Sequence, residues 1–319
     1  MKRNNKKILV TGGCGYVGTV LVPFLLNNNY KVTVIDTMWF GNALKKNKNL
    51  KIIKSDISQI KDINLKGFYA IIHLANIAND PSALLDPRLT WEVNVLNTKK
   101  LVEHSIKNNV KKFIFASSGS VYGIKKEKKV TEDLDLVPIS DYNKTKMIAE
   151  QILMTYKKKI KIFCIRPATV CGYSENMRLD ISLNLLTYQA LSNKMIKIFG
   201  GQQIRPNIHI KDLCSIFLFF LIKNLSSGHY NAGFENIKIL DLAKKIQKLT
   251  KTRIKIFKNN NDPRSYRQDS TKILKIGFKR KFGIDYAIRE LIEKYKNNFL
   301  KKSDNFFRVN YMKKNKIKF

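Results

Sequence analysis

The sequence predicts a doubly wound parallel α/β sheet followed by a smaller α/β region, and two observations carry that prediction. Up to about residue 165, short apolar runs rich in β-branched residues alternate with stretches of helical periodicity. The runs are also apolar almost throughout, rather than at every second residue, as expected of strands covered by helices on both faces. They are Lys7 to Thr11, Lys31 to Asp36, Leu50 to Lys54, Tyr69 to Leu74, Lys112 to Ser117 and Lys161 to Ile165. The first helix opens at Gly18, with Val17, Val20, Leu21, Phe24 and Leu25 on one side. Pro23 lies inside it, removes one backbone hydrogen bond and should bend the chain. A clearer helix is Trp91 to Lys107, where Val95, Val102 and Ile106 share a face. After Pro167 the pattern becomes irregular, with helices expected at Ser182 to Leu191, Leu213 to Lys223 and Ile239 to Leu249. The expected division is 1–165, then 166–300 with some segments returning to the first domain, then a loosely attached basic tail at 301–319.

Composition narrows the function classes. The 319 residues carry 60 Lys+Arg against 24 Asp+Glu, a formal net charge of +36, and 44% are hydrophobic. A chain of this length and apolar content builds a real core and is not disordered. The charge would suit a nucleic-acid or anionic-membrane binder. The lysines, however, run from Lys2 to Lys318 and do not gather on one segment with interleaved aromatics, so no dedicated nucleic-acid partner is expected. The surplus should favour anionic substrates at low salt. Cys14, Cys164, Cys171 and Cys214 are too few for a disulfide framework and none forms C-x-x-C, so no metal site is expected. The basic N-terminus runs directly into a strand, without the apolar stretch of a secretory signal. The greasiest stretch, Ile216 to Ile222, is about a third of a membrane span. No membrane span and a cytoplasmic location are therefore expected.

The loop Thr11-Gly12-Gly13-Cys14-Gly15-Tyr16-Val17-Gly18 follows the first strand and opens the first helix, with Gly12, Gly15 and Gly18 spaced G-x-x-G-x-x-G. Glycine lets the backbone approach a pyrophosphate, and the helix N-terminus offers free N–H groups and a positive dipole end. A glycine cluster alone also suits an ordinary tight turn. Here the second strand ends in Asp36, 18 residues beyond Gly18, where a carboxylate can accept both ribose hydroxyls of an adenosine and repel a 2′-phosphate. NAD, not NADP, is the expected cofactor; a helix-capping role for Asp36 is the alternative.

Tyr142 and Lys146 stand four apart at the start of a helical run and so share a face. With 13 tyrosines in a lysine-rich chain such pairs also arise by chance, and Tyr122 with Lys126 is a second one. That pair spans Gly123 directly after a strand, where a helical face is not expected. The Tyr142 pair is preferred because Ser118 lies 24 residues earlier at the carboxyl end of the fifth strand, the edge where parallel-sheet enzymes place their chemistry.

Thr11 to Gly18, Asp36, Asp56, His73-Leu74-Ala75, Asn94, Ser117 to Gly123, Tyr142-x-x-x-Lys146 and Arg166-Pro167 together resemble the extended short-chain dehydrogenase/reductases, and within them the nucleotide-sugar epimerase/dehydratase group. The resemblance continues through Arg205 to Asp212 and Asp262 to Arg267, and so covers about residues 6–297. It implies a Rossmann NAD-binding domain at 1–165 and a nucleotide-sugar-binding region at 166–300. Ser118, Tyr142 and Lys146 are implied as catalytic. Gly12, Gly15, Tyr16, Val17, Gly18, Asp36, Asp56 (against the adenine), Ile57, Leu74, Ala75 and Asn94 are implied around NAD, together with Tyr142 and Lys146. Ser118, Arg205 and Arg264 are implied around the sugar-nucleotide diphosphate. A homodimer and a part in building cell-surface polysaccharide follow from the same likeness. As alternatives, Arg264 or Arg267 could be surface ion-pair partners, Asn94 could only brace backbone, and His73 reads as a satisfied core histidine.

Elementary chemistry fits those roles. A free tyrosine titrates near ~10, so acting as a base near neutrality needs a shift of about three units, ~4 kcal/mol, which Lys146 and a cationic nicotinamide both favour. Ser118 can align the reacting hydroxyl, and arginine forks suit phosphates. The 4,6-dehydratases of the group carry Asp-Glu beside the serine; this chain has Gly119-Ser120, which disfavours that elimination. An epimerase needs only Ser, Tyr, Lys and NAD and is the leading reading. A nucleotide-sugar dehydrogenase or reductase would use the same residues, and a non-catalytic NAD-binding protein is the third possibility. The loop Asn76 to Pro81 lacks the basic residue of the galactose epimerase pattern, leaving the sugar and the nucleotide base open.

Overall fold

A computed structural model describes residues 5–258 and 265–315 of the chain. The strands are β1 (Lys7–Thr11), β2 (Lys31–Asp36), β3 (Leu50–Lys54), β4 (Phe68–His73), β5 (Lys112–Ala116) and β6 (Lys161–Pro167). They continue with β7 (Thr169–Cys171), β8 (Met195–Phe199), β9 (Ile204–His209), β10 (Gly228–Ala232), β11 (Glu235–Lys238) and β12 (Arg253–Phe257). The helices are α1 (Gly18–Asn27), α2 (Asp80–Ala83), α3 (Pro87–Trp91), α4 (Asn97–Lys107), α5 (Asp141–Thr155) and α6 (Ser182–Asn193). After these come α7 (Ile210–Ile222), α8 (Ile239–Thr250), α9 (Thr271–Lys275), α10 (Ile284–Lys296) and α11 (Arg308–Lys314).

Seven strands form one parallel sheet in the order β10-β6-β5-β4-β1-β2-β3. Its two faces explain the unbroken apolar runs. Ile8 and Val10 point into a core shared with α1 and with Phe217 and Phe220 of α7. Leu9 points the other way, into a core shared with Leu101 and Val102 of α4 and Ala149 and Leu153 of α5. The chain thus forms the doubly wound α/β fold expected of it. A third core, with Leu183, Ile198, Leu242 and Ile288, holds α6, α8 and α10 around the β8–β12 pair, and β11-β9-β7 makes a small mixed sheet beside it.

Several elements differ in detail from the expectation. β4 is placed one residue early, at Phe68–His73, and the Leu74 N–H just beyond it still bonds the Thr11 carbonyl at the end of β1. Pro23 sits on the exposed side of α1, which remains one helix. The helix expected from Trp91 begins at Pro87 and passes through a π turn at Glu92–Leu96 before α4. β10 is the seventh strand of the main sheet, although its sequence, Gly228-His229-Tyr230-Asn231-Ala232, has no apolar run. The tail is the main correction. Residues 308–314 form α11, with Arg308 and Met312 buried, so the segment is attached and not loose. Among the described residues no helix is long and apolar enough to cross a membrane.

Candidate active site

A cavity of about 640 Å³ follows the carboxyl edge of the main sheet and extends between it and the region after residue 167. Gly12, at φ +69, starts its floor; an added Cβ there would lie 2.6 Å from the Ala75 nitrogen, so the β1 and β4 loops approach as only glycine permits. At Gly18 a Cβ would collide with the Gly13 carbonyl, which brings the first turn of α1 against the loop. Tyr16 and Val17 also line the cavity; the Tyr16 hydroxyl donates to the Gly172 carbonyl at 2.8 Å. Asp36 closes β2 at the cavity wall. Its Oδ2 accepts from Cys14 N–H at 2.9 Å and its Oδ1 from Met38 N–H at 2.7 Å. Burial pushes its carboxyl up from the ordinary value and these two donors offset that rise. Asp56 caps the short helical segment Ile57–Asp62 through Ser58 N–H at 2.7 Å, and it lines the cavity with Ile57, Leu74 and Ala75.

At the other end of the same cavity stand Ser118, Tyr142 and Lys146. Ser140 N-caps α5 by accepting from Asn143 N–H, which fixes the first turn that presents Tyr142. Lys146 is buried, donates to the Ala116 carbonyl at 2.7 Å, and holds its ammonium 5.9 Å from the Tyr142 ring centre. Ser118 Oγ pairs with Ser120 Oγ at 2.7 Å. Burial lowers Lys146 to about 7 against an ordinary 10.5, Glu150 opposing in part. The unfolded chain therefore holds this proton more tightly between pH 7 and 10.5. The resulting penalty is absent above that window and complete below it, so stability rises with pH through the window. Lys146→Met is expected to flatten this slope, measured as urea midpoints of the cofactor-free chain at pH 7 and 9.

The remaining candidates separate. Arg205 lines the cavity, and Arg264 lies outside the described residues. Asn94 was expected beside NAD but does not line the cavity. Fully buried in the π turn, it bonds Ile77 N–H (2.8 Å), Ile77 O (3.2 Å) and Thr145 Oγ1 (3.1 Å), which makes it a brace for the β4 loop. His73 is a satisfied core residue, with Thr11 Oγ1 at 2.7 Å and Thr98 Oγ1 at 2.8 Å; burial lowers it to about 3. Tyr122 is fully buried, donating to Asn231 Oδ1 and accepting from Arg166, both at 2.8 Å, so the second Tyr/Lys pair is not at the cavity.

The sequence reading missed several cavity residues. Arg178 forms a bidentate pair with Asp180 (3.0 Å each) and donates to the Ala78 carbonyl at 3.2 Å. It therefore brings a cation to the very loop that lacked one, from a stretch with no recognisable spacing. Asn176 and Arg308 also line the cavity. Asn76, Ser117 and Ser182 border it with shielded side-chain polar atoms that have no protein partner. Shielded unpaired groups are costly unless a ligand satisfies them. Together with the glycine cradle and Asp36, they fit a polar, diphosphate-bearing dinucleotide.

A glycine loop at the head of a doubly wound sheet, an acid closing the second strand and a Ser–Tyr–Lys set on one cleft define a short-chain dehydrogenase/reductase architecture. Residues 8–233 match the NAD dependent epimerase/dehydratase family, and the chain belongs to it. It is an enzyme of that family and NAD is its cofactor. Among curated relatives it is 27% identical to the bifunctional UDP-glucose 4-epimerase and UDP-xylose 4-epimerase 1 of Pisum sativum, over 93% of this chain and 98% of that one. It is 28% identical to the UDP-glucose 4-epimerase of Lactobacillus helveticus, over 83% and 89%. Among solved structures, the UDP-glucose 4-epimerase of Thermotoga maritima with UDP-glucose superposes with a TM-score of 0.84 at 25% identity, over 92% of this chain and 100% of that one.

Proposed function

We propose that the protein epimerises a nucleotide-diphosphate sugar in a redox-neutral cycle through a transient keto sugar. One observation carries the reading: Ser118, Tyr142 and Lys146 share a single cavity with the glycine loop and Asp36, while Gly119-Ser120 next to Ser118 carry no acid. A Cβ at Gly119 would stand 3.0 Å from Gln268 Oε1 and 3.2 Å from the Tyr266 hydroxyl. An acid at 119 would press on both groups, and neither Gly119 nor Ser120 supplies a general acid for elimination of water beside Ser118. The curated relatives named as UDP-glucose 4-epimerases support the same reading.

NAD, held by the glycine loop and Asp36, would supply a reversible hydride acceptor for the sugar carbon. Tyr142 takes the proton of the sugar hydroxyl as that carbon is oxidised and gives it back when the carbonyl is reduced from its other face. Lys146 and the Arg178 guanidinium, whose field reaches Tyr142, both favour the phenolate. Ser118 aligns the reacting oxygen. Arg205 and, by the sequence pattern, Arg264 hold the diphosphate. Four buried, unpaired cysteine thiols fit a reducing, cytoplasmic compartment.

The test is incubation with UDP-, GDP- and dTDP-sugars carrying deuterium on the carbon to be oxidised. The expected result is altered configuration at constant mass, retention of deuterium and no accumulation of NADH. Stoichiometric NADH would establish the dehydrogenase alternative, and a product lighter by one water would establish a dehydratase.

A further inference from the structure

The segment expected to hang free roofs the cofactor end of the cleft. Arg308 is 5% exposed and lines the cavity with Val309 and Met312. Its guanidinium donates to Asn305 O and Asn176 Oδ1, both at 2.6 Å, and to Asn176 O and Met177 O, both at 3.3 Å. It also stacks 4.1 Å from the ring centre of Phe40, in the loop after Asp36. Asn305 Nδ2 donates to the Phe40 carbonyl at 2.8 Å, and Asn176 Nδ2 donates to the Cys14 carbonyl of the glycine loop at 2.7 Å. The roof is thus pinned to both walls of the dinucleotide cradle.

First, all of these acceptors are uncharged, and among the described residues no carboxylate forms an ion pair with Arg308. Burial and the nearby Arg178 cation lower it to about 9, with Asp180 and Asp36, neither in contact, offsetting only part of that. A desolvated cation without a paired anion is costly, and an anion in the cleft relieves the cost. Second, α11 has seven residues, too few to persist as a helix by itself, and residues 301–304 leading into it are exposed. Such a segment opens locally at far lower cost than the whole domain unfolds.

We propose that residues 304–314 form a gate over bound NAD and that Arg308 is its anion-sensing latch, drawn shut by the diphosphate of the dinucleotide. The inference rests on the NAD-dependent reading of the cleft and adds how the cofactor is kept through a cycle that never needs to release it. The geometry favours the dinucleotide over the sugar nucleotide, since the latch is tied to Phe40 and Cys14 on either side of Asp36.

The experiment measures NAD dissociation from the full chain, together with amide hydrogen exchange over 304–314 with NAD, ADP-ribose or UDP added. NAD and ADP-ribose should both protect the segment. Arg308→Gln should release NAD at least tenfold faster and abolish that protection, and Arg308→Lys should recover part of it. Thermal melting of each variant without cofactor separates a lost latch from a lost fold; a variant that melts far below the native chain is replaced by Asn305→Ala, which cuts only the tie to Phe40. Unchanged NAD release, or protection that NAD does not confer, overturns the gate. Protection by UDP alone also overturns it, assigning the cation to the substrate's diphosphate. Failure of the native chain to bind NAD would instead sink the reading on which the gate rests.

Discussion

Tyr142→Phe is expected to cut turnover by roughly 10³-fold or more while NAD remains bound. The substitution removes one oxygen at the cavity and leaves the ring, Lys146 and the glycine cradle in place. Tyr122→Phe should do the reverse. Its hydroxyl bridges Arg166 and Asn231 in the protein interior, so its loss should cost about 1–3 kcal/mol of stability while turnover persists. Burial already pushes the Tyr122 phenol up to about 12, the opposite of what a base requires. Turnover and cofactor content, assayed side by side on the two variants, decide the matter. A Tyr142 variant that stayed active, or a Tyr122 variant that lost activity while folded, would move the chemistry to the other pair.

The second large effect is on stability. Arg166, at the end of β6, makes a bidentate contact with Glu150 of α5, with Nη2 to Oε2 at 2.7 Å and Nε to Oε1 at 3.0 Å; the two side chains are 3% and 1% exposed. The pair ties α5, which carries Tyr142 and Lys146, to the sheet. Arg166→Met strands Glu150 as a buried carboxylate and takes away one partner of Tyr122. The expected cost is about 3–5 kcal/mol, a large share of a typical folding free energy. Melting temperature should fall by roughly 5–10 °C. Replacing both partners, as Arg166→Met with Glu150→Leu, should be less damaging than the sum of the single changes, because no lone charge is left behind. Additive losses would show that the two groups do not act as a pair.

Much of this was legible in the sequence because the main sheet is buried on both faces. That burial forces apolar runs, and β1, β2 and β3 end at the residues the pattern gives. The glycine loop, Asp36 and Ser118 were legible because each sits where a strand of that sheet ends, and Tyr142 and Lys146 because their spacing of four puts them on one face of α5. Elements whose burial is polar were not. β10 enters the sheet on Asn231, whose side chain bonds the Val130 and Asp269 carbonyls and Tyr122, and no hydrophobic count registers that. α11 buries only Arg308 and Met312, so its lysines read as a solvated tail. Arg178 and Asn176 reach the cleft from an irregular stretch whose side-chain directions depend on packing that no local spacing encodes. Asn94 is a related case: from the π turn its side chain bonds the Ile77 backbone, the bracing role that the sequence left as the alternative.

The place of β10 at the edge of the sheet has a consequence for how this polypeptide can be made and divided. Strands 1 to 6 are complete once residue 167 has been synthesised, yet β6 then has a neighbour on one side only, and Phe163 lacks Phe220 and Tyr230, whose rings lie 4.8 and 6.4 Å from it. A bare parallel edge with an uncovered aromatic face invites pairing with another chain. A fragment ending at the apparent boundary near residue 165 should therefore aggregate, whereas one extended past Ala232 supplies both the missing strand and the helix that shields it. On the ribosome, the nucleotide-binding half has to wait about 65 residues for its last strand, so the two halves of this enzyme mature together.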